Sequence, residues 1–366
     1  MVKGLIGIMG SACVVFVAGC GGPESGIPST SVPAPAPIGI DELSLTVPGS
    51  TPATAYDVVD LGSLGGSLGF GQGVNNRGVA TGLSALANGQ RHAFLWQAGT
   101  LRDLGTLGGK TSVGQAVNAL GAVVGYATTS TAAYRPFLYQ DGVMRDLGNL
   151  GGGYGAAYAV NDAGDVVGDS RAPSGEQHAF VWRNSALFDL GTLGGPYSSA
   201  SGINSAGQIV GYSYTAAGLF HAVVTTLGQK MTDIGTLGGS YSRAYAINDG
   251  GVIVGQAYLS GDAKAHAFAY VGGRMRDIDS TGGDYSESRA VNSAGLVVGD
   301  FQHDDGATYE ERAFAYGGER FVDLGRAISA SAGWQLQEAT DVNDAGQIIG
   351  IGQHNGQDRP FLLTPR

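Results

Sequence analysis

The sequence predicts an all-β fold, a seven-bladed β-propeller of four-stranded antiparallel blades, on three observations. Glycine supplies 64 of 366 residues, with 12 prolines and only 14% charged residues. That composition would melt most helices and suits short strands joined by tight turns. Three short motifs each recur seven times in fixed order. The repeats also begin and end out of phase, so a strand at the start is left to complete the last unit.

The repeat is explicit. An Asp-Leu-Gly-like element falls at Asp60, Asp103, Asp146, Asp189, Asp233, Asp277 and Asp323, with spacings of 43, 43, 43, 44, 44 and 46. An Asn-x-x-Gly turn begins at Asn75, Asn118, Asn161, Asn204, Asn248, Asn292 and Asn343. A His/Arg-x-Phe-like element starts at His92, Arg135, His178, His221, His266, Arg312 and Arg359. A constant period of this size is the signature of a repeat architecture.

One unit justifies the strands in order. Tyr158-Ala159-Val160 leads into Asn161-Asp162-Ala163-Gly164, where Asn caps its own turn and Gly takes the positive φ, giving a hairpin. Asp165-Val166-Val167-Gly168 follows as a second strand. His178-Ala179-Phe180-Val181-Trp182 alternates large residues on one face as a third, and Leu187-Phe188-Asp189-Leu190 makes a fourth. Four antiparallel strands in about 43 residues is the size of a propeller blade. The chain enters this pattern with an isolated fourth strand at Tyr56 to Leu61 and leaves it with a third strand at Pro360 to Leu363, so 56–62 are expected to pair with 359–364 and close the ring. A β-solenoid or a multi-sheet sandwich are the alternatives; a solenoid would need capping units at both ends.

The first residues read as an address. Met1-Val2-Lys3 followed by an apolar run from Gly4 to Ala18 has the form of a secretory signal. It ends in Val17-Ala18-Gly19-Cys20, which resembles the bacterial lipobox, where the cysteine is lipidated and becomes the mature N-terminus. The expected organisation is a signal peptide over 1–19, a lipidated Cys20 with a Pro/Ser-rich tether over 20–54, and the propeller over 55–366. Cys13 and Cys20 are the only cysteines, so the mature domain is expected to have neither disulfide nor thiol chemistry. Gly21 lacks the aspartate that commonly retains lipoproteins in an inner membrane. The resemblance thus implies a cell-envelope protein anchored to the bacterial membrane by lipid, at the outer membrane or cell surface.

The motifs Asp103-Leu104-Gly105-Thr106-Leu107-Gly108-Gly109 and His178-Ala179-Phe180-Val181-Trp182, joined by Ala-Val-Asn-x-x-Gly-x-Val-Val-Gly, resemble the bacterial extracellular repeat named for its His-Ala-Phe tripeptide, the HAF repeat. The likeness covers roughly residues 56–364. It implies secretion and repetition and brings no established activity. His221-Ala222-Val223, Asp277-Ile278-Asp279-Ser280-Thr281 and Asp323-Leu324-Gly325-Arg326 depart from the pattern.

Composition also sets limits on function. A formal charge of -11 would repel phosphate, which argues against nucleic acid as a partner, and 43% hydrophobic residues argue against a disordered chain. Residues present in every unit, such as the seven Asp and seven His/Arg, are expected to form a structural polar network. The variable positions are more informative. Tyr154, Tyr197, Tyr241 and Tyr285 occupy one equivalent position before the first strand, with Trp334 near it in the last unit and Leu68 and Thr111 in the first two. Together they would form an aromatic arc at a channel mouth, suited to a glycan or protein ligand. Fourteen of the 31 acidic residues lie between 277 and 344 against four arginines. Asp304, Asp305 and Glu310 in the longest loop are a calcium candidate; otherwise no metal site and no cofactor are expected. The expected function is a non-catalytic interaction module. The alternative is a hydrolase or lyase on an extracellular polysaccharide, using unrepeated acids such as Asp284, Glu287 and Glu338.

Overall fold

The structure is a computed structural model that describes residues 50–304 and 309–366. The signal, Cys20, most of the tether and Asp305 lie outside the described residues. The final tether residues pack on the body: Pro52 is buried, Ser50 N donates to Ala294 O at 3.2 Å, and Ala53 rests on a core cluster. The chain is all β, with 28 strands and two single-turn 3-10 helices, Leu324–Arg326 and Ala330–Ala332, among the described residues. Those helices occupy the stretch where the last repeat lacks its Gly-Gly. No helix among the described residues is long and apolar enough to cross a membrane.

Within each repeat the strands pair antiparallel in chain order. In the third, Gly155–Val160 pairs with Val166–Arg171, that strand with Gln177–Arg183, and that with Ala186–Asp189. The first and last repeats meet as expected, because Tyr56–Asp60 pairs antiparallel with Gln357–Pro365, Tyr56 opposite Pro365 and Asp60 opposite Phe361. The strands join into sheets of twelve, eight, four and four. The two larger sheets arise where a third strand touches the next first strand through one parallel bridge, Leu68 with Asp358, Arg91 with Thr111, and Gln177 with Tyr197.

The core lies between repeats. Seven apolar clusters each join one repeat to the next; Val124 and Leu138, for example, pack with Val166 and Phe180. The last links the ends, with Val74, Ala80 and Phe94 against Ile349 and Leu362. The Phe of the tripeptide motif is its centre: Phe94, Phe137, Phe180, Phe268, Phe314 and Phe361 are fully buried. A bulge in the first strand, between Ala157 and Ala159, brings its backbone against Gly168. A Cβ on Gly168 would lie 2.0 Å from Ala156 O, which explains the glycine ending each Val-Val-Gly run.

Candidate functional site

The seven turn asparagines form a closed cycle of hydrogen bonds. Asn75 Nδ2 donates to Asn118 O at 2.8 Å, and the same bond runs on through Asn161, Asn204, Asn248 and Asn292 to Asn343, whose Nδ2 donates back to Asn75 O at 2.9 Å. Each Oδ1 accepts a backbone N–H of its own turn, as Asn161 does from Asp165 at 2.9 Å. All seven are buried and use both ends of the amide. They line a polar pocket of about 250 Å³ together with Asn76, Asp162, Asp249 and Asp344.

The repeated acids are also accounted for by geometry. Each Asp of the Asp-Leu-Gly element accepts the backbone N–H two residues on, from Gly62, Gly105, Gly148, Gly191, Gly235, Asp279 and Gly325. The carboxylate also holds the tripeptide base. Phe94 stands opposite Asp103, which places His92 Nδ1 2.9 Å from the carboxylate, and His178, His221 and His266 repeat the pair. Arg312 meets Asp323 at 3.1 Å, and Arg135 approaches Asp146 at 3.9 Å. In the last unit the structure departs from expectation, because Asp60 meets His354 of the second strand at 3.2 Å in the role foreseen for Arg359. These pairs brace a turn against a strand and leave the carboxylates partly exposed.

The aromatic positions sit at the other end of the first strands from the asparagine pocket. Tyr197 is 46% exposed, while Tyr154, Tyr241, Tyr285 and Trp334 are half-buried. The structure extends the arc with rings that the sequence reading did not single out. Tyr197 meets Tyr214 at 5.5 Å, Tyr214 meets Phe220 at 5.6 Å, Phe220 stacks on Tyr241 at 4.7 Å, and Tyr241 meets Tyr258 at 5.5 Å. Arg243 lies over Phe220 at 4.4 Å and over Tyr212 at 5.0 Å. Tyr126, Tyr134 and Tyr154 form a second group, with Tyr134 42% exposed. Trp334 instead stacks on His354 at 4.5 Å. The added rings come from second and third strands, and their signal was an aromatic at each end of the intervening loop.

Of the unrepeated acids, Glu287 and Glu338 converge and Asp284 does not; Asp284 pairs with Lys264 on the surface at 3.0 Å. Arg289 is the meeting point. Its guanidinium contacts Glu287, lies 3.0 Å from Asp300 Oδ1, and reaches Glu338 Oε2 at 3.5 Å. Tyr245 donates its hydroxyl to Glu287 at 3.1 Å. Glu287, Asp300 and Glu338 are all buried. Burial pushes the carboxyls of Asp300 and Glu338 up, and raises that of neighbouring Glu311 to about 7. Burial opposes the charge on Arg289, but Glu287, Asp300 and Glu338 together hold it firmly protonated. Burial, reinforced by Glu287 and Asp300, keeps the Tyr285 phenol protonated. Of the calcium candidates, Glu310 is engaged by Arg312 at 2.8 Å and Asp305 lies outside the described residues; among the described residues no group of three His, Cys, Asp or Glu is placed to hold a metal ion.

No family model and no curated protein matches the chain. Solved structures do resemble it. A puromycin hydrolase is 13% identical with a TM-score of 0.56, covering 87% of this chain and 55% of that one. A puromycin-hydrolysing peptidase of Mycobacterium tuberculosis is 11% identical with a TM-score of 0.53, covering 83% and 52%. The β-propeller domain of the Trilobed protease from Pyrococcus furiosus, described as having an open velcro topology, is 9% identical with a TM-score of 0.53, covering 81% and 95%. The chain spans about half the length of the two puromycin-hydrolysing proteins. At such identities the likeness concerns fold alone: this is an all-β protein whose structural neighbours are β-propellers.

Proposed function

We propose that the chain is a HAF-repeat β-propeller of seven four-stranded blades, closed by Tyr56–Asp60 completing the last blade, and that it is a non-catalytic binding module for a glycan. In this reading Cys20 carries the lipid that anchors it at the cell envelope, and Cys20→Ser moves the protein from the detergent to the aqueous phase. The seven inter-repeat clusters and the asparagine cycle support the ring. The observation that carries the binding role is the unbroken row of rings from Tyr197 to Tyr258 with Tyr197 open to solvent. Flat apolar faces with polar edges suit sugar rings.

The test is a glycan array with the Cys20→Ser chain, followed by titration of the best ligand. The double variant Tyr197→Ala, Tyr241→Ala should bind roughly tenfold or more weakly with little change in melting temperature, since each ring contributes about 1 kcal/mol beyond its buried area. Unchanged affinity would sink the reading. The hydrolase alternative draws on Glu287 and Glu338 meeting at Arg289. With both carboxylates buried and a guanidinium touching each, they lack the open gap for sugar and water that glycoside cleavage requires.

A further inference from the structure

The aromatic face holds two groups of rings, and both are built by one rule. The residue just before the His/Arg-x-Phe-like element is aromatic in units two and four, as Tyr134 and Phe220, and polar in unit three, as Gln177. In each case it lies beside the aromatic position that opens the next unit. Tyr134 meets Tyr154 at 6.3 Å, Gln177 is bridged to Tyr197, and Phe220 stacks on Tyr241 at 4.7 Å. Rings therefore gather on both sides of unit three, and the loop joining its second and third strands runs between them.

Strand pairing sets the distance between the two groups. Gly155 stands opposite Ser170, which brings Tyr154 beside Arg171, and Arg171 N donates to Tyr154 O at 3.1 Å. Arg171 stands opposite Gln177, and Gln177 is bridged in turn to Tyr197. From Tyr154 to Tyr197 is thus three strand spacings, about 14 Å. The loop Ala172 to Glu176 carries no ring, and Arg171, Ser174 and Glu176 are exposed. Tyr134 on one side of it and Tyr197 on the other are both open to solvent.

We infer that this face takes a linear glycan laid across unit three, with one sugar on Tyr134 and Tyr154, another on Tyr197, and the sugars between them over the loop at Ser174 and Glu176. The inference rests on the binding role proposed above and narrows it to chains of about four sugars or more, because the span exceeds a disaccharide and matches the first and fourth residues of a tetrasaccharide. Ring faces receive the apolar faces of the outer sugars, while the hydroxyl and carboxylate of the loop exchange hydrogen bonds with the hydroxyls of the inner ones. A shorter sugar fills one group of rings and leaves the other bare. A folded protein partner fits less well, since a charged loop interrupts the rings where such an interface has its apolar centre.

The experiment is calorimetric titration of the Cys20→Ser chain with cellobiose and cellotetraose, mannobiose and mannotetraose, chitobiose and chitotetraose, and with decaproline as a non-glycan probe of aromatic faces. In a series that binds, the tetramer should bind roughly tenfold or more tightly than the dimer, as two linked subsites require. Tyr134→Ala should remove that gain and leave the affinity of the dimer, seated on Tyr197, unchanged. A tetramer no tighter than its dimer overturns the inference and leaves the glycan role standing, as does a Tyr134→Ala chain that weakens dimer and tetramer by the same factor. Decaproline binding more tightly than every tetramer overturns the glycan ligand altogether. Binding of none of the six sugars overturns the inference; failure of the glycan role itself is read separately, from a blank glycan array.

Discussion

The two ends of the first strand contrast sharply. At the turn end, seven identical asparagines satisfy one another in a cycle, and every amide is used on both sides. At the starting end, the residues change from Leu68 and Thr111 through four tyrosines, and in units six and seven the adjacent wall carries Glu287 and Glu338 around one arginine. The turn asparagines bond one another, while the unrepeated acids Glu287, Asp300 and Glu338 crowd around the single guanidinium of Arg289. Repetition marks what every unit needs in order to pack. Variation between repeats marks where a unit departs from that common need.

The contrast can be broken most strongly where the first strand pairs with the last. Removing residues 50–61 strips the outer partner from Gln357–Pro365 and uncovers Leu362 and Leu363. The melting temperature should fall by roughly 10 °C or more, with association through the bared strand edge. A truncated chain that melts cooperatively at the original temperature and stays monomeric would show that the fold does not depend on this strand.

Next in size is the asparagine cycle. Asn161→Ala leaves the N–H of Asp165 without its partner and takes from the buried carbonyl of Asn204 one of its two donors, Gly207 N remaining, and should cost about 1–3 kcal/mol in denaturant unfolding. Tyr197→Ala, at the other end of a first strand, should cost less than about 1 kcal/mol. Equal losses would erase the distinction between scaffold and site.

The pH dependence sharpens it further. Asp300, Glu338 and Glu311 face Arg289, Glu287, Tyr245 and Tyr285, and burial raises their carboxyls, that of Glu311 to about 7. Burial also raises Asp341 to about 7 and Asp169 to about 6. The folded chain therefore retains protons that the unfolded chain has released. That contribution to stability is complete below about pH 4 and is lost as pH rises through about 7. The melting temperature should drop by roughly 5 °C between pH 5.5 and 8, and less in Glu338→Gln. A melting temperature that rises over that interval would contradict the buried, protonated cluster.

The smallest expected effect is at the Asp–His braces. Asp103 is partly exposed and its loss frees one turn N–H and one imidazole, so Asp103→Ala should cost about 0.5–1.5 kcal/mol. A loss above about 3 kcal/mol would place these pairs among the principal supports of the fold.

What the sequence determined by itself is the local and repeated part. The turn at Asn161–Gly164, the facing of Phe94 and Asp103, and the pairing of Tyr56–Asp60 with the C-terminal strand all follow from period, turn chemistry and alternation, which each repeat states again. The equivalent position of Tyr154, Tyr197, Tyr241 and Tyr285 in successive repeats was legible for the same reason. The tertiary structure alone decided the contacts between repeats: the asparagine cycle, the insertion of Phe220 between Tyr214 and Tyr241, the exchange of Arg359 for His354 at Asp60, and the meeting of Glu287, Asp300 and Glu338 on Arg289. Strand pattern fixes which face a side chain takes within its own sheet. Which side chain of a neighbouring sheet it then meets depends on how strands more than forty residues apart stack side by side, and no local periodicity records that distance.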